Sequence, residues 1–436
     1  MAGMSFHIDA SNYCDELSAF VQASPSSYHA AQQVASALEA AGFVRLVEEE
    51  PWKGSGLPAR GLTVRDGAVI AWILPAEVGE RTGFRVVGSH TDSPALKLKP
   101  AGALDREGYG MVNAEVYGGP LLNSWLDREV GLAGRLVTKD GRSHLVRTGP
   151  IARTAQLAPH LDRSVDQNLH LDKQGHMLPI FTVGVAGPRQ LEEHLCELAG
   201  IAPAELGGFD VLTYATEVPA RFGLSGEFFA SSRLDNLSSV FASLSAFLAA
   251  ARGESGAAQG DVLVLAAFDH EEVGSETRSG AAGPFLADVL TRLSACFGWD
   301  DAAARAALSR SACVSADAGH AVHPNYAGMH DPGVRPLLNG GPLLKLNANQ
   351  RYASDARGTA LWRRACEAAG VESQDFVSNN AVPCGSTIGP ITATRLGMLT
   401  VDVGQPLLSM HSAREMAGVE DGPALARALA AFWAGA

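Results

Sequence analysis

Hydrophobic and polar positions change period several times along this chain, and each change marks an element. Leu17, Phe20 and Val21 recur at helical spacing. Ala30, Val34, Leu38 and Ala41 do so again, between Ser26-Ser27, which suit a helix start, and Gly42, which suits its stop. The apolar run at 262–268 reads as a buried strand, and 67–74, 84–88, 312–316 and 399–403 read as strands beside it. Helices are predicted over 237–251, 301–309, 359–369 and 424–434. Between about residues 100 and 221 the texture shifts to short strand-like pieces broken by turns, as in 131–138, Lys139-Asp140-Gly141 and 143–147. The alternation of strand and helix elsewhere predicts an α/β fold: a mixed, mostly parallel sheet covered by helices on both faces. The expected organisation is a discontinuous catalytic domain, 1–99 and 222–436, with a β-rich second domain, 100–221, inserted for dimerisation or as a lid.

Composition narrows the class. At 436 residues the chain exceeds the roughly 250–300 at which one core usually splits. With 46% hydrophobic and 19% charged residues it has ample apolar material to fold. The net charge of −13 disfavours nucleic acid as a partner. The first residues show neither a basic n-region nor an apolar h-region, and no uninterrupted apolar stretch approaches the ~18 residues of a membrane span. A cytoplasmic protein without a membrane contact is the expectation. Six scattered cysteines, with no C-x-x-C pair, argue against a disulfide framework and a thiolate zinc site.

Chemistry collects where strands end. The run 262–268 delivers Glu271-Glu272, two adjacent carboxylates that are costly to bury without a cation. The strand at 84–88 runs into His90 and Asp92, that at 312–316 into Asp317 and His320, and that at 399–403 toward His411. Asp235 sits where the helix from Leu237 begins. Taken singly, each histidine reads as a hydrogen-bonded structural residue and Asp235 as a helix cap. Five such groups at one sheet edge are hard to explain as independent caps. Nitrogen and carboxylate donors without thiolates suit zinc, with manganese or cobalt as substitutes. One histidine and one terminal carboxylate per ion, bridged by Asp235, give each of two ions three ligands and an open position that a shared water can fill. Glu271 is then left over as a proton carrier, and Asp92 suits the task of holding the second nitrogen of His90.

The chain resembles aspartyl aminopeptidases of metallopeptidase family 18 over essentially its whole length. The resemblance rests on His90-Thr-Asp-Ser-Pro94, Ser232-Arg-Leu-Asp-Asn236, Asp269-His-Glu-Glu-Val-Gly-Ser275, Asp317-Ala-Gly-His-Ala-Val-His-Pro324, Lys345-Leu-Asn-Ala-Asn-Gln-Arg-Tyr-Ala353 and Met410-His-Ser-Ala-Arg-Glu415. It implies two zinc ions per subunit on His90, Asp235, Glu272, Asp317 and His411, with Glu271 as general acid and base acting on a bridging hydroxide. It implies substrate contacts from His320, Lys345 and Tyr352, and from His160 reaching a neighbouring subunit. It also implies a homododecamer built from dimers, a cis peptide at Asp235-Asn236, and hydrolysis of peptides at an amino-terminal Asp or Glu. Lys345, flanked by Leu344 and Leu346, reads either as the cation that pairs with such a residue or as an exposed strand-edge lysine. Two alternatives share the scaffold: a two-metal carboxypeptidase or amide deacylase, and a catalytically silent assembly or binding subunit. A serine or cysteine hydrolase has weak support, since Ser386 and Cys384 lie in a Gly-rich loop without a Gly-x-Ser-x-Gly elbow.

Overall fold

The computed structural model describes residues 8–254 and 260–436; residues 1–7, part of the segment read above for targeting features, lie outside it. Nine strands form the main sheet, in the order Val44–Arg45, Arg60–Arg65, Ala68–Ile73, Val262–Phe268, Phe84–His90, Ala312–Ala316, Leu399–Gly404, Leu343–Lys345 and Gln374–Phe376. The four consecutive strands from Val262–Phe268 to Leu399–Gly404 are mutually parallel, so their carboxyl ends share one edge. The sheet is buried on both faces, which is why Val262–Phe268 reads as a continuous apolar run, while its parallel neighbours carry buried polar residues such as Ser315 and Asp402. Successive residues of Val262–Phe268 enter opposite cores: Leu263, Leu265 and Ala267 join one cluster, Val264, Ala266 and Phe268 the other. The first cluster includes Val34, Leu38, Phe247, Trp362 and Trp433 from covering helices, the second Phe285, Leu290 and Ile388.

Helices Ala10–Ala23 and Ser27–Ala40 fall where the apolar spacing predicts, and Ser26 caps the second by accepting from the His29 backbone. Three helices escape the pattern reading: Phe285–Cys296, Ile388–Leu396 and Gln190–Ala199. Leu234–Arg252 has length and composition fit for a membrane span, yet 83% of its most apolar window is buried inside the protein. Within it Asp235 and Asn236 have non-helical backbone, so regular helix begins at Leu237, and the Asp235–Asn236 peptide is cis.

The β-rich insertion is a seven-stranded sheet built from Ala95–Arg106 through Leu206–Ala215. Leu206–Ala215 pairs with both Ala95–Arg106 and Glu129–Thr138, which closes the sheet into a small barrel around Leu98, Val112, Leu132 and Val211. Sequence patterning did not foresee a third sheet of five short strands, Ala220–Phe222, Phe228–Ser231, Glu415–Gly418, Pro406–Leu408 and Gly319–His320.

Candidate active site

Parallel strands set the first half of the site. His90 closes Phe84–His90, while Asp317 directly follows Ala312–Ala316 on the neighbouring strand. Glu271 and Glu272 open a short helical turn after Val262–Phe268. The other half comes from the small sheet, which corrects the expectation that His411 follows a main-sheet strand. His411 lies in the turn between Pro406–Leu408 and Glu415–Gly418, and Asp235 lies just beyond Phe228–Ser231.

These groups converge. His90 Nε2 lies 3.3 Å from Asp235 Oδ1, 3.4 Å from Asp317 Oδ1 and 4.0 Å from Glu271 Oε2. His411 Nε2 lies 3.4 Å from both Asp235 Oδ2 and Glu272 Oε2. Two triads result, His90–Asp235–Asp317 and Asp235–Glu272–His411, each with donor atoms within 4.8 Å of one another. Asp235 belongs to both and Glu271 to neither.

The donor set fits divalent cations. His411 Nδ1 is 2.9 Å from the Gly119 carbonyl, an obligate acceptor, so Nδ1 carries a proton and Nε2, facing two carboxylates, is left to hold either a second proton or a cation. His90 Nδ1 is likewise 3.2 Å from the Asp92 carbonyl. Asp235 Oδ1 and Glu272 Oε1 are buried without a hydrogen-bond donor. An arrangement of acceptors facing acceptors is stable only around positive charge. The titration shifts express the same strain. Despite their burial, His90 is held well above the usual imidazole range by Asp235, Asp317 and Asp92, and His411 is pushed up to about 10 by Asp235 and Glu272. Burial, reinforced by Asp317, Asp235 and Asp92, pushes Glu271 up to about 7.

Asp92 does more than face His90. Its Oδ1 accepts the Glu271 N–H at 3.0 Å, while Oδ2 accepts the Glu272 N–H at 3.1 Å and the Tyr117 hydroxyl at 2.7 Å. Tyr117 and Gly119 went unnoticed in the sequence. Tyr117 ends Tyr109–Tyr117, and Gly118 follows with φ 69; a Cβ on Gly118 would lie 3.1 Å from Glu272 Cβ. The pair Gly118-Gly119 is the legible trace of this close backbone approach.

A cleft of about 500 Å³ opens beside the triads and is lined by Glu271, Asp317, His320, Lys345 and Tyr352 among others. Lys345 is not a strand-edge residue. Leu343–Lys345 is an interior strand, so Lys345 is 1% exposed, with Nζ donating to the Ala318 carbonyl at 2.8 Å and 3.6 Å from Asp317 Oδ2. Its Nζ also stands 5.3 Å from the centre of the Tyr352 ring. Burial and Lys345 together hold His320 below the usual imidazole value. His160, by contrast, is exposed in a turn of the insertion and is absent from the lining of the cleft.

The profile of the aminopeptidase I zinc metalloproteases (M18) matches residues 20–433. A probable M18 family aminopeptidase 2 of Streptomyces coelicolor is 47% identical over 423 residues, 96% of this chain and 97% of that protein. Among solved structures, the Ape4 and Nbr1 complex contains a chain of 33% identity that superposes with a TM-score of 0.92, covering 98% of this chain and 86% of that one. The S. cerevisiae mApe1 dodecamer superposes with a TM-score of 0.84 at 28% identity, covering 97% of each chain. A profile matched across nearly the full length, together with that identity to curated relatives, establishes that this chain belongs to the M18 family of zinc aminopeptidases.

Proposed function

We propose that this chain hydrolyses the amino-terminal peptide bond of peptides that begin with Asp or Glu, using two divalent cations on His90, Asp235, Glu272, Asp317 and His411. The observation that carries the reading is the pair of triads sharing Asp235, with Glu271 left outside both. Zinc bound there supplies a Lewis acid for the scissile carbonyl and lowers the pKa of a water. Glu271 takes a proton from the attacking water and returns it to the departing amine. Asp92 fixes that base, since it accepts the Glu271 N–H. His320 and Tyr352 both line the cleft, which suits them to stabilising the substrate carbonyl as charge develops on it.

Lys345 supports the acidic preference. An ammonium has three donors; Ala318 takes one and Asp317 stands at 3.6 Å, so a substrate carboxylate completes the set in a desolvated pocket. The test is Lys345→Ala assayed on matched peptides. Its kcat/KM on amino-terminal Asp should fall about 100-fold more than on amino-terminal Leu. Equal losses would assign Lys345 to Asp317 alone and remove the specificity argument.

Self-association belongs to the same proposal. The mApe1 neighbour is a dodecamer, and a homododecamer built from dimers is the assembly proposed here. The exposure of His160 on the insertion suits a residue that completes a neighbour's site.

A further inference from the structure

Asp235 and His411 sit on irregular backbone. Arg233, two residues before Asp235, has φ 58, and His411 itself has φ 66, so neither helix nor strand ladder fixes these ligating segments. One side chain joins them. Glu415, the first residue of Glu415–Gly418, is 2% exposed; its Oε2 accepts the Asp235 N–H at 3.1 Å and its Oε1 accepts the His411 N–H at 2.9 Å. Ser231 lies opposite Glu415 in the small sheet, which seats the carboxylate between the two segments. A buried carboxylate is costly unless both oxygens are engaged, and here both are.

We propose that Glu415 is a positioning residue that sets the gap between Asp235 and His411, and thereby the affinity of the cation they share with Glu272. This rests on the two-cation reading above. The other triad is held differently. His90 and Asp317 are delivered by adjacent strands of the main sheet, and Asp235 keeps a second tether there, with Ser93 Oγ donating to its carbonyl at 2.7 Å. Glu415 therefore acts more strongly on the cation site that His411 completes than on the one that His90 and Asp317 complete, where it reaches only the shared Asp235.

A near-isosteric change separates this role from general support of the fold. Glu415→Gln keeps length and volume but offers one acceptor and an NH2 group, so one backbone N–H meets a donor. The full chain, stripped of metal and titrated with Co2+ under visible absorption, should show two binding classes in the unmodified protein. Glu415→Gln should weaken one class about 10–100-fold and the other, which shares only Asp235, clearly less. Glu415→Asp, with both acceptors on a shorter arm, should fall between. Unchanged affinities, or equal weakening of both classes, would overturn the proposal. Fewer than two classes in the unmodified protein would overturn the two-cation reading instead.

Discussion

Glu271 and Glu272 are neighbours in sequence with different surroundings. Glu272 lies 3.4 Å from His411 Nε2, whereas Glu271 stands apart from both triads at 4.0 Å from His90. Glu271→Gln is therefore expected to retain a wild-type metal content while kcat falls about 10²–10⁴-fold, the usual contribution of a positioned proton carrier. Loss of a metal equivalent on elemental analysis would make Glu271 a ligand and reverse the division. The sequence offered that division as an expectation, because one histidine and one terminal carboxylate per ion, bridged by Asp235, leave one carboxylate over. The Asp92 clamp was legible only in part. Proximity to His90 pointed to one contact, but its two bonds to the Glu271 and Glu272 backbones depend on a turn whose path no local pattern encodes.

At the scale of elements, long runs are legible and short ones are not. Val262–Phe268 and Ala312–Ala316 have the bounds that the sequence predicts, because a strand buried on both faces is apolar at nearly every position, Ser315 being the exception in these two. The strands of the small sheet have two to four residues, too few to display a period, so the origin of His411 stayed hidden. Ile388–Leu396 carries Gly389 and Pro390 in its first turn, where proline fits a helix but reads as a loop. The start of Ser27–Ala40 yields a prediction of its own. The His29 ring lies 2.8 Å from the Ser26 capping hydroxyl, and burial, with Arg147 and Arg233, lowers its pKa to about 4. An unfolded chain binds a proton near pH 6.5 that the folded chain refuses until about pH 4, so stability is present above pH 6.5 and drains away as pH falls between those values. His29→Gln should lose up to about 2 kcal/mol less stability than the unmodified chain between pH 7 and pH 5. Thermal midpoints that shift equally in the two proteins would place the histidine in solvent.

At the scale of the whole assembly, the proposed role of His160 in a neighbour's site becomes a prediction. Within one chain it lies on the exposed surface of the insertion, away from the residues that line the cleft. A homo-oligomer offers a way to give it a catalytic partner, since a symmetric interface presents the same residue to every neighbour. His160→Ala and Glu271→Gln should each be nearly inactive alone, the first because every site lacks its visiting histidine, the second because every site lacks its base. Dissociating the two variants, mixing them equally and reassembling creates sites with an intact Glu271 that receive His160 from a Glu271→Gln neighbour. With random pairing, half the sites have the base and half of those receive the histidine, so recovery should approach about one quarter of wild-type activity. If His160 acted within its own chain, or not at all on the reaction, no combination of these subunits would create a new complete site and the mixture would stay at the sum of its parts. Recovery that appears only after dissociation and reassembly would locate the effect at the interface between subunits.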